Sequence, residues 1–129
     1  MIVLSNINIT PASKISSDLA TIFLSGTLEA KNPLVPLTNP LSFEKLCGTY
    51  SNGSQQVFIS YNQNLYSTIN KMYRVQYKFK LIAIEEAEDQ VTFVSDFIDD
   101  TYLFKVNNQG EIISFKVQEA FKVTEYMKQ

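Results

Sequence analysis

In the stretch YRVQYKFKL, Tyr73, Val75, Tyr77, Phe79 and Leu81 alternate with Arg74, Gln76, Lys78 and Lys80. Successive side chains of an extended chain point to opposite faces, so this pattern predicts a strand with one apolar and one wet face. Shorter versions recur in QVFISY, QVTFVS, TYLFKV, EIISFKV and AFKVTEY. Between TYLFKV and EIISFKV lies a hairpin turn, Asn107-Asn108-Gln109-Gly110, where Gly110 accepts the positive φ that other residues resist. Many short strands separated by turns predict an antiparallel meander, and a meander of this size covers its apolar face best by curling into a barrel.

Upstream the period changes. Ile15, Leu19, Ile22 and Phe23 recur at helical spacing, with Thr10 and Pro11 suited to the start of a helix and Gly26 to its end. Burying such a face is worth roughly 1.5–3 kcal/mol per large side chain, so the helix is expected to dock on something through those four residues. Ile2, Val3 and Leu4 form a short apolar strand ahead of it. Pro33, Pro36 and Pro40 then exclude helix and central strand alike and mark an extended connector. The expected organisation is a strand and helix over residues 1–26, a proline-rich linker over 27–41, and a mainly β domain over 42–129.

Composition narrows the function classes. With 11 Lys and Arg against 13 Asp and Glu, and no basic block, the chain lacks the cations that displace counterions from a nucleic acid. One cysteine, Cys47, excludes an internal disulfide, and the absence of histidine removes the commonest general base and metal ligand. No apolar stretch is long enough for a membrane-spanning helix, and MIVLSNINITP has no basic leader segment, so it does not read as a signal peptide. Glu85, Glu86, Glu88, Asp89, Asp96, Asp99 and Asp100 lack the ligand and glycine spacing of a calcium loop. Neither a metal nor a cofactor is expected.

Ser42-Phe43-Glu44-Lys45 matches S-x-x-K and Tyr50-Ser51-Asn52 matches Y-x-N, two signatures of penicillin-recognising serine hydrolases. Their spacing is wrong for that chemistry, because the second motif belongs on a distant element and the third, K-T-G, is absent. Ser42 suits a plainer role as the N-cap of a short turn ended by Gly48. No catalytic residue is assigned.

Leu46, Gly48, Thr49 and Tyr50, then Asn64-Leu65-Tyr66, a strand around Leu81, the segment from Gln90 to Phe93, and Phe104, Gly110 and Phe115 stand in a particular order. In that order they resemble the lipocalin-like β-barrel attached to the C-terminus of many β-lactamase-related, penicillin-binding-protein-like serine hydrolases. Leu4-Ser5-Asn6 and Asp18-Leu19-Ala20 are similar to the last strand and helix of the catalytic domain in that superfamily. The resemblance implies an antiparallel up-and-down lipocalin-like barrel preceded by one helix and the connector. It also implies a non-catalytic accessory module that packs against or modulates a serine hydrolase domain, whose parent family is often found in the bacterial cell envelope or periplasm. Ile15, Leu19, Ile22 and Phe23 are then the expected docking residues. A homodimer through the N-terminal strand and helix is a further expected partner. An alternative is an independent barrel for apolar small molecules, with Tyr73, Val75, Tyr77, Phe79, Phe93, Phe104 and Phe115 lining its interior.

Overall fold

A computed structural model describes residues 12–25, 36–37, 42–70, 75–98, 100–119 and 121–129. The chain divides into two compact units, residues 1–34 and 35–129. Within the first lies helix α1, Ala12–Ser25. The expected strand at residues 2–4, the caps at Thr10, Pro11 and Gly26, and most of the connector lie outside the described residues, as does Tyr73.

The second unit is mainly β. A single 3-10 turn, Phe43–Leu46, leads into eight strands: β1 Gly48–Ser51, β2 Gln56–Asn62, β3 Asn64–Asn70, β4 Gln76–Glu86, β5 Gln90–Ser95, β6 Thr101–Val106, β7 Ile112–Gln118 and β8 Val123–Lys128. Each pairs antiparallel with its neighbour in sequence, and β1 pairs with β8, so the sheet closes into an up-and-down barrel of the lipocalin-like kind. Closure removes the free strand edges that an open meander would expose.

Local chemistry sets the turns. Asn107 Oδ1 accepts the backbone N–H groups of Gln109 and Glu111, each at 2.9 Å, and Gly110 takes φ 76°. That side-chain oxygen does the work of a backbone acceptor in a tight reversal. Asn52 Oδ1 does the same between β1 and β2, accepting from Ser54 N at 3.0 Å and Gln55 N at 2.8 Å. Gly48, at φ 146°, opens β1 where a Cβ would come within 3.1 Å of Lys128 Cε. A Cβ there would crowd only the far end of the Lys128 side chain, but the positive φ strains any other residue.

The alternating pattern aims one face of each strand inward. Register places Phe93 beside Tyr102, Phe104 beside Phe115, and Phe115 beside Tyr126. The rings of Phe104 and Phe115 are 5.0 Å apart, those of Phe115 and Tyr126 5.1 Å, and Tyr50 from β1 reaches Phe115 at 4.8 Å. Such pairs add roughly 0.5–1.5 kcal/mol each beyond area burial. Val57, Ile59, Leu65, Leu81, Ala83 and Val91 complete one contiguous core.

Candidate functional site

In an antiparallel barrel, successive connections alternate between two ends. The β2–β3, β4–β5 and β6–β7 turns share one end with the entry to β1 and the tail of β8. That end is plugged. Leu46 is fully buried, and Phe43 lies 5.9 Å from the ring of Phe93 and 5.4 Å from that of Tyr61. Leu37 packs on the same core, and its N–H donates to Ala83 O at 3.0 Å. Ala83 borders an irregularity in the β4–β5 register.

Three polar contacts fasten the plug. The Tyr50 hydroxyl donates to Leu46 O at 2.7 Å, Lys128 Nζ donates to Lys45 O at 2.8 Å, and Gln129 N donates to Thr49 O at 2.9 Å. Burial pushes the Tyr50 phenol well above tyrosine's usual range, with the neighbouring Cys47 thiol acting in the same direction. It therefore stays protonated and keeps donating.

Ser42 and Lys45 are both exposed at the edge of this plug. Lys45 N donates to Ser42 O at 3.1 Å, so the residue occupies the cap position through its backbone. Its hydroxyl makes no cap hydrogen bond, which corrects the expected side-chain cap. Cys47 is half-buried, its Sγ donating weakly to Phe43 O at 3.4 Å. Burial raises its pKa, against smaller lowering effects from a Tyr61 backbone contact and Lys128 and a raising one from Glu44. A raised thiol pKa means little thiolate, the form that attacks.

Of the interior residues expected from sequence, Phe79, Phe93, Phe104 and Phe115 are buried in the barrel and Tyr77 is half-buried. Val75 is not inside. It precedes β4 and is 46 % exposed, because pairing with β3 begins only at Gln76 opposite Asn70. The buried aromatics pack ring against ring, as a filled core does. Two further interior phenols, Tyr102 and Tyr126, escaped the sequence reading as candidates. Burial raises the pKa of both. For Tyr102 the Ser67 hydroxyl opposes that shift, and Asp100, Tyr126 and Glu119 reinforce it. Ser67 Oγ, fully buried on β3, approaches Tyr102 across the barrel without a hydrogen bond of ordinary geometry. Tyr126 donates to Gln55 Oε1 at 3.1 Å.

The four expected docking residues fall on α1. Ile15 and Ile22 are exposed, Leu19 is half-buried, and Phe23 is 75 % exposed with Leu24 beside it at 88 %. Among the described residues no cluster of acidic, cysteine or histidine side chains could hold a metal ion. No described helix is long and apolar enough to cross a membrane. An open depression lined by Asp89, Lys105, Val106, Asn107, Asn108, Gln109 and Ile113 lies between the β4–β5 and β6–β7 turns, and it contains no buried ionisable group.

These features define a closed eight-stranded up-and-down barrel with one plugged end. No family model, curated protein or solved structure matches the chain.

Proposed function

We propose that this chain is a non-catalytic accessory module of a β-lactamase-related serine hydrolase, packing against or modulating its catalytic domain. The observation that carries the reading is the helix α1, which leaves Ile15, Ile22 and Phe23 in solvent at helical spacing. An apolar helical face of this kind is stabilised by a partner surface. The likeness of Asp18-Leu19-Ala20 to the terminal helix of the hydrolase domain is the reason for choosing that domain as the partner in this reading. Further support comes from the opening motif of the resemblance, Leu46 to Tyr50, whose members Leu46 and Tyr50 are joined by a hydrogen bond at the plug. The alternative, a barrel holding an apolar ligand, finds less support, because Tyr50, Phe93, Phe104 and Phe115 occupy the interior with one another.

The test is calorimetric titration of the full chain with an S-x-x-K hydrolase domain encoded beside it. Saturable binding weakened at least ~10-fold by Phe23→Ser supports the reading. No binding, or binding indifferent to Phe23→Ser, overturns it.

A further inference from the structure

The strands do not contribute equally to the interior. β4 buries Phe79, Leu81 and Ala83, and β7 buries Ile112, Phe115 and Val117. β1 and β8 each bury a single side chain, Tyr50 and Tyr126. These two lightest strands are the ones that meet to close the barrel. Their seam is also short, with Tyr50 opposite Lys128 and Ser51 opposite Met127, whereas β6 and β7 stay paired from Thr101 opposite Gln118 to Val106 opposite Ile112. Past Ser51 the chain turns away, Asn52 N donating to Gln55 O at 3.2 Å, so residues 123–126 of β8 run on without a β1 partner.

Side chains hold much of this seam. Tyr126 donates to Gln55 Oε1 at 3.1 Å beside the unpaired stretch, and Lys128 Nζ donates to Lys45 O at 2.8 Å. The backbone adds Gln129 N donating to Thr49 O at 2.9 Å and the Ser51 and Met127 pair. Of the two strands, β1 is anchored further, because it continues from the plug, where Leu46 is fully buried and accepts the Tyr50 hydroxyl. β8 has only the Tyr126 ring, stacked 5.1 Å from Phe115, while Val123 and Met127 are exposed. Releasing β8 therefore uncovers one aromatic side chain, and releasing any strand from β4 to β7 uncovers at least two buried apolar ones. Local opening follows the elements with the fewest buried apolar contacts.

We propose that β8 is a gate in the barrel wall, leaving it as one strand while β1 to β7 and the plug stay folded. Opening parts Ser51 from Met127, lifts Tyr126 off Phe115 and makes a slot between β1 and β7 that leads from solvent to the Phe115 ring. Two side-chain latches keep it shut, Lys128 on the plug and Tyr126 on the β1–β2 turn.

Amide hydrogen exchange of the full chain, followed by NMR in water and in mild urea, tests this. Thr124, Tyr126 and Met127 should share one opening equilibrium and, after correction for intrinsic rates, exchange at least ~100-fold faster than Phe93 and Phe104. Their rates should respond weakly to urea, because the gate uncovers little surface, whereas Phe93 and Phe104 should show the steep response of global unfolding. A disulfide joining Ser51→Cys to Met127→Cys in a Cys47→Ala chain ties β8 to β1. It should slow the β8 amides to within ~10-fold of Phe93 and Phe104, and reduction should restore the gap. Tyr126→Phe removes one latch and should quicken β8 exchange about 5-fold. β8 amides as slow as Phe93 and Phe104, with the same urea response, would overturn the proposal, since β8 would then leave only when the whole barrel unfolds. Protection graded from low at Met127 to high at Thr124 would equally sink it, as fraying of a strand end. So would β8 amides that stay fast with the disulfide closed, or that are indifferent to Tyr126→Phe.

Discussion

At one end of the barrel Leu46, Phe43 and Leu37 turn inward onto the core, and at the other Phe97 and Phe121 turn out into water. Both ends use large apolar side chains, yet the physical consequences differ. Inward residues are stabilised by leaving water and by dispersion contacts in a dense interior. Of the outward ones, Phe97 is about half covered by its own turn, and Phe121 contributes almost nothing. The polar groups follow the same division. At the plug, Tyr50, Lys128 and Gln129 each donate to a backbone carbonyl. At the opposite end Ser95 Oγ accepts from Phe97 N and Ile98 N within the β5–β6 turn, and Gln55 bonds Tyr126 and the backbone of Asn70. The core itself runs the length of the barrel, with Val57, Tyr102 and Val117 buried toward the far end, so the contrast lies in what each end adds to it.

The largest effect that can break this contrast is expected at Leu46. Leu46→Ala empties a fully buried position and should lower unfolding free energy by about 2–5 kcal/mol, read from urea denaturation. A loss under about 1 kcal/mol would mean that the plug is not part of the core. Tyr50→Phe comes next. It removes the donor to Leu46 O and leaves that carbonyl without its partner, so about 1–3 kcal/mol is expected. The same substitution has a signature in pH. Burial raises the folded-state pKa of Tyr50, Tyr102 and Tyr126 above the value of about 10 found in unfolded chains. Their stabilising contribution is therefore complete below about pH 10 and is lost as pH climbs above it, because the unfolded chain releases protons that the folded chain retains. Urea midpoints measured from neutral pH upward should fall beyond that point, and fall less steeply in Tyr50→Phe.

How far sequence reaches into this picture depends on the element. QVTFVS and TYLFKV coincide with β5 and β6 residue for residue, since each is a short run rich in β-branched and aromatic residues flanked by acidic and polar ones, although Val94 and Leu103 break the strict alternation. β1 and β3 left weaker traces. GTYS places one large side chain inward, and NLYSTIN puts Ser67 between Leu65 and Ile69 on its inner face, which interrupts the apolar period. Alternation also overshoots. It runs back through Val75 and Tyr73 without a break, but pairing starts at Gln76, and Val75 is left in solvent. AFKVTEY likewise reads as one strand, whereas β8 begins at Val123 and Phe121 belongs to the turn, held by Glu119 N donating to Lys122 O at 2.8 Å. Period alone does not distinguish the last apolar residue of a strand from the first of a tip. That is why Val75 and Phe121 escaped the sequence, whereas Phe79, Phe93, Phe104 and Phe115 lie inside as the pattern predicts.

A smaller change tests the tail of β8. Lys128→Ala removes the charged donor to Lys45 O, an exposed contact, and the ammonium 5.8 Å from the ring of the buried Tyr50. About 0.5–1 kcal/mol is expected, with a shallower dependence on salt than a purely ionic contact would show, since the acceptor is a neutral carbonyl.

The smallest expected effect on folding is at Phe121, where the substitution is chemically the most drastic. Phe121→Ser exchanges a large aromatic ring for a hydroxyl, and in a core that exchange would cost several kcal/mol. At 93 % exposure the ring has little burial to lose, and its backbone is held by the Glu119 to Lys122 hydrogen bond, which serine preserves. The urea midpoint of the dilute chain should stay within the equivalent of about 0.5 kcal/mol of the unaltered protein. A loss above about 1 kcal/mol in dilute solution would instead show that Phe121 is held by the barrel, and the contrast between the two ends would collapse.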